Sequence, residues 1–262
     1  MNRVACVVES AQPVALVRLS GRLDLGSSLD LRKALQKALA EQPSGVVIDV
    51  AGLMVEEDIA LATFSAFARC AAAWPGCPVV LCAPPAEISA ALNRLAISRA
   101  VPVLPDRAQA LAAVKSVPAP RRYSQRLSAT PAALAAARQA VSAACRAWRV
   151  PYLVTDAEAV VTELVSNGVR HASDADLQLQ VVLGGRYLHV SVRDSSHERP
   201  RRLIPDPETE RTGRGLLLVE AIAAGWGSTP TPDGKVVWAT LRLAGLMPRR
   251  WTARTRATGP ER

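Results

Sequence analysis

The amino-acid sequence predicts an α/β protein built as two successive units. Short apolar runs of strand length alternate with segments of helical periodicity, and 49% of the 262 residues are hydrophobic, enough to fill a core. A stretch without periodicity, SVPAPRR at 116–122, divides the chain with two prolines. With 21% charged residues, the composition excludes a charge-dominated disordered chain.

The N-terminus, MNRVACVVES, is too short an apolar stretch for a signal peptide and continues into strand-like alternation. ALVRL at 15–19 is a strand pattern, followed by a turn at Gly21. Ser27 or Ser28 then offers an N-cap to a helix carrying Leu31, Ala34, Leu35, Ala38 and Leu39 at helical spacing. GVVIDV at 45–50 is almost continuously apolar, as a strand buried on both faces should be. A helix over 58–74, a buried strand PVVLCA at 78–83, a helix over 86–96, a short strand over 101–104 and a helix over 106–114 complete a mainly parallel sheet.

After the linker, RYSQRLSA is a candidate edge strand, and Thr130 with Pro131 opens a helix through Trp148. Asp156 is the expected cap of the next helix, AEAVVTELVSNGVRHA. LQLQVVLGG and YLHVSVRD read as a hairpin around Gly184 and Gly185, residues 195–212 as a polar loop, GRGLLLVEAIAA as a helix and VVWATLRL as a closing strand.

Charge and cysteine usage narrow the function classes. The net charge is +9, but residues 1–116 carry 11 basic against 10 acidic side chains, while the tail 247–262 carries 5 against 1. Residues 117–246 carry 16 against 12, so about half of the excess lies in a tail that reads as disordered, and direct nucleic-acid binding is not expected. No run of about 18 apolar residues exists, because Arg69 interrupts the longest one, so a cytoplasmic protein without a membrane span is expected. Cys6, Cys70, Cys77, Cys82 and Cys145 form no Cys-x-x-Cys pair and read as reduced core residues.

The richest chemistry lies in Glu163-Leu-Val-Ser-Asn167-Gly-Val-Arg170-His171. Glu163 and Asn167, four apart, share one helix face, where an amide oxygen can ligand phosphate-bound Mg²⁺ and a carboxylate can accept a proton from an attacking hydroxyl. Such a pair alone is usually a solvated face. Downstream, Asp194 ends the strand VSVRD, and Gly213-Arg214-Gly215 opens a helix whose N-terminal amides can meet phosphate. Trp226 and Trp238 read as core packing rather than base stacking.

The order Glu…Asn, then Asp after a strand, then Gly-x-Gly before a helix resembles the GHKL (Bergerat-type) ATP-binding fold shared by histidine kinases and anti-sigma-factor serine kinases. TELVSNGVRHA, GRGLLLVEAIAAGWG and VVWATL are similar to the anti-sigma-factor branch. The resemblance implies an α/β sandwich binding ATP and Mg²⁺, with Asn167 on the metal, Glu163 as general base, Asp194 reading adenine, and Gly213, Arg214 and Gly215 on the phosphates beneath a lid over 195–212. The chain departs from the pattern after Asp194, where Ser195, Ser196 and His197 stand in place of glycines.

In the first unit, Gly21-Arg-Leu-Asp24, then Val46-Val-Ile-Asp49, then a loop into a helix at 58, resembles the STAS domain of anti-sigma-factor antagonists. That family carries a phosphorylatable serine at this helix N-terminus; here Glu57, Asp58, Ile59 and Ala60 occupy the loop. Asp58 is therefore either a helix N-cap or a permanent negative charge at the phosphoserine-equivalent position, or both.

The resulting organisation is a STAS-like domain over 1–116, a linker over 117–122, a GHKL domain over 123–246 and a basic tail over 247–262. The resemblances imply a partner-switching regulator of transcription with a serine/threonine kinase module. The alternative is a non-catalytic protein that sequesters a regulator through the same folds. Implied partners are STAS-domain antagonists or a sigma factor, with contact between the chain's own domains, or a homodimer, left open. If the charge at Asp58 sets the interdomain state, Asp58→Ser is expected to draw the domains together.

Overall fold

The computed structural model describes residues 4–10, 13–171, 176–198 and 214–244. Two five-stranded sheets with helices make up the fold. In the first, β1 (Ala5–Ser10), β2 (Val14–Leu23), β3 (Gly45–Val55), β4 (Val79–Cys82) and β5 (Val103–Leu104) lie in sequence order. Only β1 runs antiparallel to its neighbour. The connecting helices are α1 (Leu25–Ala40), α2 (Ala62–Ala73), α3 (Ala86–Arg94) and α4 (Arg107–Lys115).

Several local expectations change. Gly21 lies inside β2 at φ +89° rather than in a turn, and β2 continues to Leu23. The cap of α1 is Asp24, whose carboxylate accepts from Ser27 N at 2.6 Å while Ser27 Oγ accepts from Asp24 N at 3.0 Å, so Ser27 is the reciprocal partner in a capping box. The core here is formed by Val46, Ile48 and Val50 of β3 against Leu31 and Leu35 of α1 and Phe64 and Phe67 of α2.

The second sheet is antiparallel throughout, in the order β6-β7-β8-β10-β9. Its strands are β6 (Arg121–Leu127), β7 (Leu177–Gly184), β8 (Tyr187–Asp194), β9 (Gly225–Thr231) and β10 (Gly234–Arg242). β6 is the edge strand that its sequence suggested. β9, the segment GWGSTPT, has no strand pattern of its own. One face of the sheet packs on α5 (Ala132–Ala147), α6 (Val154–His171) and α7 (Arg214–Ile222). Leu188, Val190 and Val192 of β8 and Val237, Ala239 and Leu241 of β10 point into that core. α6 starts at Val154, so Asp156 lies in its first turn rather than capping it. The basic tail falls outside the described residues, and among those described no helix is long and apolar enough to cross a membrane.

The other face of the second sheet is covered by the first unit. Side chains alternate across a strand, so His189, Ser191 and Arg193 of β8 and Val236 and Trp238 of β10 point away from the helices. Val236 joins the core of the first unit, and Trp238 stacks on Trp74 with centroids 5.6 Å apart and planes within 4°. Trp238 thus packs between the two units, not within one core. Gln42 Nε2 donates to Ser191 Oγ at 3.2 Å, Arg193 pairs with Glu41 at 3.5 Å, and Arg122 donates to the carbonyls of Gln42 and Pro43 at 2.7 and 3.1 Å. The Arg122 bonds satisfy carbonyls just past the C-terminus of α1, where helix carbonyls lack intrahelical partners. Gly76, at φ +81°, lies against His189, where a Cβ would stand 2.3 Å from Nε2.

Candidate functional site

The amphipathic stripe of α6 buries Ala157, Val160, Val161, Leu164 and Val165. Glu163 and Asn167 lie beside that stripe, both half-buried, on the common face that their spacing predicts. Gly168 allows the helix to sit close: a Cβ there would stand 2.9 Å from Leu177 Cδ2 of β7. α6 also packs against β8, β10 and α7, and because Leu177 precedes the Gln178–Arg193 register pair, the Gly168 contact sets the C-terminal part of α6 toward the Asp194 end of the sheet. Arg170 is exposed, and the His171 side chain lies outside the described residues.

Asp194 ends β8, only 4% exposed, with Lys235 directly opposite it on β10 at 6%. Lys235 Nζ donates to Asp194 Oδ1 at 2.8 Å and to the Ser196 carbonyl at 3.2 Å, and Ser196 N donates to the same Oδ1 at 2.8 Å. Gly234 makes this corner: at φ +149° its Cβ would stand 2.0 Å from the Asp194 carbonyl, so no other residue fits. Lys235 was not foreseen from sequence. The available signal was a lone cation opening the apolar run KVVWATL. A cavity of about 600 Å³ reaches Asp194 and Ser195 and is lined also by Arg126, Gln178, Arg193 and Asp233; Glu163 and Asn167 do not line it.

Arg214 and Gly215 begin α7 as expected for the Gly-x-Gly segment, while Gly213 and most of the 195–212 loop lie outside the described residues. No cluster of three or more His, Cys, Asp or Glu suited to a metal exists among the described residues. Burial pushes the Cys77 thiol up to about 12 and those of Cys82 and Cys145 to about 11, so these three are protonated packing groups at neutral pH.

At the other end of the molecule, Asp58 begins a single 3-10 turn (Asp58–Leu61) ahead of α2. The N-cap position belongs to Glu57, with no side-chain capping bond, and the Asp58 carboxylate instead pairs with Arg94 of α3. Asp58 is therefore not the helix cap. With Arg22, Met54, Glu87 and Arg94 it lines a cavity of about 650 Å³ at the C-terminal ends of β2 and β3. The second sheet docks at the opposite ends, on residues following α1 and α2, so Asp58 lies away from these contacts between the two units. Asp49 is held by Arg107 at 3.0 Å and accepts from Ala51 N.

Two families match these two units: the STAS domain over residues 5–110 and the histidine kinase-like ATPase domain over residues 127–241. The chain joins a STAS domain to a histidine kinase-like ATPase domain. Among solved structures it is similar to an anti-sigma factor antagonist from Mycobacterium paratuberculosis, 23% identical, TM-score 0.37, over 43% of this chain and 95% of that one. It is also similar to the anti-sigma factor antagonist SpoIIAA in its unphosphorylated form, 15% identical, TM-score 0.37, over 43% and 98%. Acinetobacter baumannii histidine kinase AdeS is 11% identical, TM-score 0.28, over 62% and 86%. No curated protein matches.

An ATPase domain of this family implies ATP binding. The donor set of the ATPase domain fits that ligand. At the sheet end, the buried Asp194–Lys235 pair offers an acceptor and a donor suited to a base. On α6, the half-buried Asn167 amide and Glu163 carboxylate suit a phosphate-bound cation and a proton.

Proposed function

We propose that the protein is a cytoplasmic partner-switching regulator of transcription whose ATPase domain binds ATP with Mg²⁺ and phosphorylates a serine of a separate STAS-domain antagonist. The observation that carries this reading is the orientation of the two domains. The STAS domain sits on the sheet face away from α6 and α7, which among the described residues leaves the helical side of the ATPase domain clear of it. In this reading, Asn167 holds Mg²⁺, Asp194 reads the base, and Gly213, Arg214 and Gly215 meet the phosphates. Bound ATP supplies the transferable phosphoryl group. Glu163 accepts the proton of the incoming hydroxyl, and the low dielectric beside the α6 core strengthens that interaction.

The STAS domain of the same chain serves as a partner-binding module. At the position equivalent to the phosphorylated serine, Asp58 has no hydroxyl to accept phosphate, and Arg94 neutralises its charge. That pairing also favours a second reading, in which the chain sequesters a regulator without phosphorylating it. The two readings share the nucleotide site and differ in transfer.

Isothermal titration with ATP and Mg²⁺, repeated on Asn167→Ala, tests the site. Loss of the metal ligand should weaken binding by more than the roughly 1 kcal/mol of one neutral hydrogen bond. Unchanged affinity refutes the assignment. Radiolabelled ATP with serine-bearing STAS partners then separates the kinase from the sequestering protein.

A further inference from the structure

We infer that Lys235 is a base-reading residue that works with Asp194: together they present an acceptor and a donor in the order that adenine requires, N6–H₂ onto Asp194 and N1 onto Lys235 Nζ. The inference rests on the nucleotide site proposed above.

Its first support is placement. Lys235 and Asp194 are register partners on the helix-facing side of the sheet, one step beyond the Val237–Val192 pair of the core, at the end where Gly168 of α6 packs on Leu177 of β7. The second is expense. Burying a lysine and an aspartate costs more desolvation than most ion pairs recover, and an apolar pair of similar size would hold two strands at least as well. A purely structural role therefore leaves the choice of residues unexplained.

The third support is hydrogen-bond capacity. An ammonium has three N–H groups, and Lys235 directs two of them at Asp194 Oδ1 and the Ser196 carbonyl, leaving one. Among the described residues, the bonds to the Asp194 carboxylate land on Oδ1, leaving the lone pairs of Oδ2. A remaining acceptor beside a remaining donor matches the adjacent N6–H₂ and N1 of adenine. Guanine placed the same way turns its O6 toward the carboxylate and its N1–H toward the ammonium, which repels at both positions.

The test uses the full chain, Mg²⁺ and two nucleotides, ATP and 1-deaza-ATP, in which a C–H replaces N1. Calorimetry should show 1-deaza-ATP binding the parent protein about 10- to 100-fold more weakly than ATP, the range for a hydrogen bond to a charged group. In Lys235→Met the two nucleotides should bind within about two-fold of each other, because the residue that senses N1 has gone. Equal affinities for the parent overturn the inference without any variant, so a misfolded Lys235→Met does not weaken the test. A preference for ATP that persists in a folded Lys235→Met also overturns it. Failure of the parent to bind either nucleotide refutes the nucleotide site itself, a different result from equal binding.

Discussion

Acidification should loosen the contact between the STAS and ATPase domains through His189. This imidazole is 2% exposed, and neither ring nitrogen has a well-formed hydrogen bond. Burial pushes its pKa down from 6.5 to about 4; the Ala73 backbone opposes the shift in part, and the Arg122 charge adds to it. Gly76 and Ala73 belong to the STAS side, so separating the domains returns the ring to water and to its ordinary pKa. Below pH 6.5 the separated form binds the proton and the docked form does not, so docking is fully present above 6.5 and is lost progressively as pH falls toward 4. At pH 5 the difference is about 2 kcal/mol, roughly 30-fold in the ratio of open to docked protein, and it approaches about 3 kcal/mol near pH 4. Urea titrations from pH 7.5 to 4.5, followed by near-ultraviolet circular dichroism of the Trp74–Trp238 stack, measure it, with His189→Leu as the non-titrating control. Parallel pH profiles for the parent and His189→Leu would refute the reasoning.

Two further substitutions probe the same geometry. Gly76→Ala combines a left-handed backbone, worth about 1–2 kcal/mol for a non-glycine residue, with a Cβ 2.3 Å from the His189 ring. It should separate the domains without unfolding either, read as a larger radius of gyration in solution scattering with unchanged secondary structure. Asp58→Ser removes the partner of Arg94 at the STAS end remote from the docked sheet. It should leave interdomain distances measured by double electron–electron resonance unchanged while supplying a hydroxyl for phosphorylation, and a shortened distance would restore a role for this charge in docking.

Local rules made much of the molecule legible in the sequence. The period of α6 determines that Glu163 and Asn167 share a face, and the strand VSVRD determines that Asp194 stands at its end. The apolar runs GVVIDV and VVLC determine buried strands because only a sheet covered on both faces tolerates them. Tertiary structure decided what depends on distant partners. GWGSTPT becomes β9 because β10 offers it a register, with Gly227 giving room for the ring of Trp238. Asp58 meets Arg94, 36 residues away, and so is an ion-paired residue rather than a helix cap. Asp194 meets Lys235, 41 residues away, because an antiparallel register sets the two charges opposite each other. The packing of the domains was likewise invisible, since Trp74, Gly76, Gln42, Arg122, His189 and Trp238 form one surface only after both sheets exist. A periodicity constrains residues within a few turns or pleats of one another, whereas an ion pair or a docked face depends on where the whole chain has brought its ends.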